Sequence, residues 1–544
     1  MKRLVSLCAV AALGTALVAC GKKDETPAAA EAVAESSILT YVPADTPYVF
    51  ASLAPLPKGY LDKLAPLNNQ VADSMSGMLE GVSAAIEQDA GDEDAEGAAL
   101  MLRVAQVVMD VVKPETMKEF GFSMTSSSVI YGNGLLPVMR VELDQPEKFM
   151  PRFRALAEEE SWALEDATAG DISYVKASLG EEAAILVAEA DGMAVLTLVP
   201  SVFEGDTIGV LLGNEKPATS LADVDTLTAL ADKYALIPQG VGYLDLQQIA
   251  STFIDGPSGA VDTAIFALGG ESPAAGLDDV CKAEIKSLVG VMPRLALGYQ
   301  SISADRMDLL TVAELRDDIA AALQPVAGSV PGMTSDSDAM MKFGLGLDLK
   351  GMRGFVEDKM TAVADNPYEC AALDGMNMAA VQMVQSINQP VPPLVYNFKG
   401  FFVELDNLDG INLESPSVPE SIDANAVLAF DNVEGLIAMG QMMLPPLGMM
   451  ELAADGEPVQ IPQEMLTGYA GEVFAAMTEN TLALSSGKGA SGNAKSLASS
   501  TDGADPALMV MSVDLAGYMT LMGDIQESAF EDLGEMEGME DDQA

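Results

Sequence analysis

Two periods alternate along this chain. Stretches that alternate apolar and polar residues, or are apolar throughout, read as strands: "SVIYGNGLLPVMRVEL", "GVGYLDL", "RLALGYQSISADRMDLLTVAEL", "FGLGLDL", "AVLAFDNV" and "ALMVMSVDL". Stretches with apolar residues three and four apart follow several of them and read as helices, as in "EKFMPRFRALAEE" and "LRDDIAAALQPV". The first and third strand stretches are hairpins whose second strand leads into a helix. Strands and helices mix without the strict alternation of a parallel sheet. The expected fold class is α+β: repeated units of meandering antiparallel strands with helices packed on the sheets.

An aspartate stands at five strand-to-helix junctions, at Asp144, Asp245, Asp348, Asp431 and Asp514. Their successive separations of 101, 103, 83 and 83 residues suggest an internal repeat. A carboxylate placed there can accept from the free N–H groups that open a helix, so the set is expected to cap helices. Catalysis would not need an acid at every copy. Two further strands, "GMAVLTLVPS" and "NTLALSSGKG", each precede a "SLAD" or "SLAS" segment, at Ser220 and Ser496.

Glycine, proline and alanine concentrate over 255–276, and more softly over 413–421. The organisation expected is a leader at 1–20, a linker at 21–37, an α+β domain at 38–255, a second region at 256–415 and a third at 416–525. The last two are separate or form one domain. An acidic tail, 526–544, closes the chain.

The leader opens with Lys2 and Arg3, continues with sixteen uncharged residues and turns polar after Cys20. That is the layout of a secretory signal, with an apolar core short of the roughly 20 residues that span a bilayer. The motif Leu17-Val18-Ala19-Cys20 resembles the lipobox of bacterial lipoproteins. The resemblance implies that Cys20 becomes an acylated N-terminus, and several acyl chains hold a membrane where one would not. Gly21 stands where an aspartate would retain such lipoproteins in the inner membrane. The address implied is therefore the outer membrane, with the body in the periplasm. The opening "YVPADTPYVFASL" is similar to that of uncharacterised bacterial envelope proteins with a Pro-Ala-Asp-Thr turn before their first strand, which implies a fold and no activity.

Composition narrows the chemistry. The mature chain would carry 26 basic against 82 acidic residues, a charge of −56. Such a surface repels nucleic acid and anionic headgroups. The densest acidic run, "EQDAGDEDAEG" at 87–97, lacks the ligand spacing of a calcium loop and reads as solvated. Histidine is absent, which removes Ser-His-Asp and Cys-His activation and the commonest transition-metal ligand. No cofactor and no metal are expected. Cys8 leaves with the leader and Cys20 is the anchor, so Cys281 and Cys370 remain to form one disulfide.

Thirty-three methionines stand against one tryptophan. They cluster in "LIAMGQMMLPPLGMMEL" and "GMNMAAVQMV", which are buried helix faces or a groove for varied apolar partners. The groove would be lined by Met439, Met442, Met443, Met449 and Met450. Three functions follow. The first is a non-catalytic, membrane-anchored envelope lipoprotein that binds or scaffolds another envelope protein or a lipid. The second is a periplasmic carrier or chaperone for lipid or unfolded polypeptide that uses the groove. The third is a carboxylate-dependent hydrolase, which needs acids converging in one cleft.

Overall fold

The computed structural model describes residues 36–57, 113–514 and Gly517, apart from short stretches within them, of which 410–420 is the longest. The leader, Cys20, the acidic run 87–97 and the tail 526–544 lie outside the described residues. Ile38 and Leu39, where the first domain was expected to begin, are fully buried.

The architecture is α+β, with two antiparallel sheets in two compact units that divide at Arg316 and Asp317. The first unit contains β1 (Tyr48–Ser52), β2 (Ser128–Asn133), β3 (Leu136–Glu142), β4 (Ala163–Ala169), β5 (Ile172–Ser178), β6 (Ala183–Ala190), β7 (Met193–Pro200), β8 (Val241–Asp245), β9 (Arg294–Ile302) and β10 (Met307–Glu314). The second contains β11 (Met341–Gly346), β12 (Phe398–Asp409), β13 (Ser421–Phe430), β14 (Val459–Gln460), β15 (Val473–Met477), β16 (Thr481–Ser486) and β17 (Met509–Val513). The boundary expected at 255–276 is corrected. It falls inside the first unit, because β8 before it and β9 after it are hydrogen-bonded neighbours. Regions 256–415 and 416–525 likewise do not separate, since β12 and β13 pair along nearly their whole length.

The two sheets share one strand order. From β8 the first runs β8-β1-β2-β3-β7-β6-β5, and from β17 the second runs β17-β11-β12-β13-β16-β15-β14. Matched strands also follow each other in the same order along the chain. The first unit adds β4 at one edge, and β9 and β10 beyond β8. The recurrence thus spans a whole unit rather than the roughly hundred residues between aspartates. Asp144 and Asp431 follow the matched strands β3 and β13, while Asp245 ends β8 and Asp514 follows β17. Each unit has several strand-to-helix junctions, and their even spacing imitates a shorter period.

Helix faces explain what each sheet covers. Helix Pro146–Glu159 starts on a proline with Glu147 in its first turn, and its Phe149, Phe153 and Ala157 form one buried stripe. That stripe packs with Phe120 and Phe122 on Val175, Val187 and Ala194, on one face of the first sheet. The other face packs on Ile208, Leu211, Leu227 and Leu230, from helices Asp206–Leu212 and Thr226–Tyr234. In the second unit, helix Ala490–Ser499 lays Ala490, Ala494 and Ala498 against one face. Alanines at that spacing let the helix axis come close to Phe402, Val427 and Ala483.

Candidate functional site

The second face of the second sheet is apolar and open to solvent. In β17 the alternation puts Met509, Met511 and Val513 on this face, and in β11 it puts Met341, Phe343 and Leu345 there. The register carries one row across five strands, from Met511 through Phe343, Val403 and Ala426 to Leu484. Met511 is 69% exposed, Phe343 42%, Val403 41% and Leu484 36%, so the row is a surface and not a core. A parallel row runs Val513, Met341, Leu405 and Ala424. At one end helix Val433–Met443 covers the face, packing Val433, Leu436 and Ile437 over Leu428, Met477 and Leu482. The rings of Phe343 and Phe401 lie 6.1 Å apart between centres, tilted by 53°.

A buried cation holds the same strands from the opposite side. Lys342 points inward, its side chain 1% exposed, and its Nζ donates to the carbonyls of Gly332 (2.8 Å) and Ser335 (3.0 Å). It also pairs at 3.2 Å with Glu404, its cross-strand neighbour on β12. Two carbonyls and one carboxylate therefore surround the ammonium, and the ring of Phe402 lies 5.1 Å from it. Among the described residues no carboxylate forms an ion pair with the second buried cation, Arg140 on β3. It donates to Tyr131 Oη and to the carbonyl of Leu212, at the end of helix Asp206–Leu212, where the dipole favours a positive charge.

The junction aspartates divide. Asp245 accepts from the N–H of Gln248 and Asp348 from that of Gly351, each at 2.8 Å, so both open a helix as expected. Asp514 accepts from the N–H of Gly517 at 3.1 Å. Asp245 and Asp348 use their second oxygen on a cation at the neighbouring strand: Arg294 of β9 at 3.4 Å and Lys399, beside β11, at 2.7 Å. Asp144 and Asp431 are corrections. Helix Pro146–Glu159 has no side-chain cap, because Gln145 occupies its cap position and Asp144 lies one residue too early. Helix Val433–Met443 is opened by Asn432, which accepts from Gly435 N–H, while Asp431 pairs with Lys399 at 3.4 Å.

Asp348 gives a pH signature. Burial pushes its carboxyl up, but the hydrogen bonds from Lys399 and Gly351 outweigh burial and hold it below the ordinary carboxylate range. A depressed pKa stabilises the fold above the ordinary value, and the gain is lost as pH falls through the folded value. Asp348→Ala is expected to cost about 1–2 kcal/mol at neutral pH and less in acid, whereas Asp144→Ala costs under about 0.5 kcal/mol. Urea unfolding at both pH values checks this, and equal losses for the two variants would contradict the assignment.

Of the five methionines expected to line a groove, three are described. Met439 and Met442 are exposed on helix Val433–Met443, Met442 by 78%, and Met450 is half-buried. The side chain of Met443 and all of Met449 lie outside the described residues. A cleft of about 510 Å³ lies elsewhere, on the first sheet between Met150, Arg154, Asp166, Tyr174 and Glu189. An ion pair of Arg154 with Asp166 fills its polar side. The acids with raised pKa do not converge either. Asp262 is raised by burial while it accepts from Leu135 N–H in the first unit, and Asp406 by burial and then by Glu404 and Asp423 in the second. Among the described residues no group of three His, Cys, Asp or Glu could hold a metal, and no helix is long and apolar enough to cross a membrane.

Cys281 and Cys370 are both disulfide-bonded and buried. The open face itself was not read from the sequence, although "ALMVMSVDL" and "FFVEL" carry its signal: apolar residues at both parities, with no element assigned to cover one of them. No known protein family matches the chain, and comparisons with curated proteins and with solved structures return no match.

Proposed function

We propose that this is a non-catalytic binding module of the bacterial envelope, anchored through acylated Cys20, which holds an extended polypeptide on the open face of its second sheet. The observation that carries this reading is the exposed row Met511, Phe343, Val403, Ala426 and Leu484. A contiguous apolar row left open on a soluble body marks an interaction surface. Methionine and phenylalanine there suit partners of varied shape. Charge selects among them: at −54 the chain repels nucleic acid and anionic lipid, and attracts an apolar segment that carries basic residues.

The test uses the Cys20→Ala body and a permanently unfolded, disulfide-reduced basic protein as probe. Calorimetry is expected to show saturable binding that weakens about tenfold or more in Phe343→Asp/Val403→Asp. Equal binding by both proteins rules out the face. Tight, charge-independent binding of vesicles with apolar cargo would replace the polypeptide with a lipid.

A further inference from the structure

We infer that the second unit consumes neutral two-electron oxidants of the hypochlorous acid class on surface methionines, chiefly Met352, Met376, Met378 and Met383 of two packed helices. The activity is stoichiometric, one oxidant for each sulfur, and is separate from polypeptide binding on the sheet.

The distribution of methionine carries it. Nine described methionines are more than one-third exposed, and all nine follow Asp317. The first unit shares the strand order, yet every methionine described there is buried or half-buried. Its large exposed apolar side chains are Val202, Val210, Val280 and Leu309. The shared architecture therefore does not call for sulfur at the surface. Helices Leu349–Asp365 and Asp374–Ile387 pack on each other and hold four of the nine. The first has no buried residue and the second buries only Ala380. Met352 is 38% exposed, Met376 43%, Met383 44% and Met378 64%. Met376 and Met383 stand seven residues apart on one side of the helix, and Met378 stands on another. Packing does not explain them, since a methionine that fills a core gap is covered.

Chemistry selects the reaction. A thioether is a soft, polarizable nucleophile that reacts without the ionisation a thiol needs. Competing groups are few: Cys281 and Cys370 are disulfide-bonded, histidine is absent and Trp162 is the one tryptophan. At −54 the chain repels anionic oxidants, whereas hypochlorous acid is uncharged and meets no such barrier. The sulfur lone pair attacks chlorine and the O–Cl bond breaks, leaving a chlorosulfonium and hydroxide. Water then adds to sulfur as chloride leaves, and of the two protons released one neutralises the hydroxide. Sulfur is oxidised by two electrons to the sulfoxide, chlorine is reduced to chloride, and one net proton is released. These side chains already stand in water, so the polar sulfoxide enters no core and a thiol-dependent sulfoxide reductase can restore it.

The Cys20→Ala full chain is titrated with hypochlorous acid, and each step is followed by peptide mass mapping and a melting curve. Sulfoxide is expected on Met376, Met378 and Met383 about tenfold or more ahead of Met333, Met340 and Met477, which are 0%, 8% and 2% exposed. The melting temperature should stay unchanged over that range, and methionine sulfoxide reductase with dithiothreitol should return the three to methionine. The variant Met352→Leu/Met376→Leu/Met378→Leu/Met383→Leu conserves volume. It is expected to melt like the wild type, to take up four fewer equivalents before the buried methionines react, and to protect an added methionine-containing peptide correspondingly less. Equal oxidation of buried and exposed methionines, a melting temperature that falls with the first sulfoxides, failure of the reductase, or undiminished capacity in the variant overturns the sink. Phe343 and Val403 remain in the variant, so polypeptide binding is measured on the same protein. If that binding persists while the capacity is undiminished, only the sink falls.

Discussion

Glu404→Ala is expected to destabilise the second unit by about 3–5 kcal/mol, the cost of breaking a buried ion pair by removing one partner. Its partner Lys342 has a side chain only 1% exposed, so the ammonium cannot turn to water when the carboxylate is gone. It would be left with the Gly332 and Ser335 carbonyls alone. The converse variant, Lys342→Met, should cost less. Glu404 is 14% exposed and retains some hydration, and a methionine fills most of the space of the lysine stem. Lys342→Met combined with Glu404→Leu should then be more stable than Glu404→Ala alone, because no uncompensated charge remains buried. Urea unfolding followed by far-ultraviolet circular dichroism measures all three, since Trp162 lies in the first unit and does not report on the second. Additive losses in the double variant would mean that Lys342 and Glu404 do not act as a pair.

The second large effect concerns Cys281 and Cys370. Each is disulfide-bonded; paired with each other, as the cysteine count expects, they would close a loop of about 90 residues, and in the chain-entropy account a cross-link of that span stabilises by about 4–5 kcal/mol through the unfolded state. Replacing both cysteines by alanine should lower the unfolding free energy by that amount. Treating the wild-type protein with a reductant should reproduce most of the loss. Both side chains are buried, Cys281 at 8% and Cys370 at 1% exposure, so part of the alanine effect is lost packing. The reduced wild type retains that packing and isolates the effect of the cross-link. A reduced protein with an unchanged urea midpoint would show that the bond contributes little.

Much of this architecture is legible before any coordinates. The alternation in "SVIYGNGLLPVMRVEL" and "RLALGYQSISADRMDLLTVAEL" places two hairpins that the sheets contain as β2–β3 and β9–β10. The caps at Asp245 and Asp348 are local, fixed by a strand that ends and a helix that begins within three residues, so sequence alone reaches them. Asp144 and Asp431 fail for an equally local reason: a one-residue offset hands the cap position to Gln145 or Asn432. The cysteine count, with Cys8 and Cys20 assigned to the leader, leaves Cys281 and Cys370 for the disulfide.

Sequence by itself determined the fold class, the junctions and the charge, because each depends on residues close together in the chain or on simple sums over it. Tertiary structure decided which strands are neighbours, and with that everything long-range. It placed β9 beside β8 and so erased the boundary at 255–276. It gave both units one strand order that their amino-acid text does not display. It buried Lys342 against Glu404, two residues that the chain separates by 62 positions. It also left part of one apolar face of the second sheet exposed among the described residues. Alternation tells which side chains share a face, but not whether a helix comes to lie on it, because that depends on packing between segments far apart in sequence.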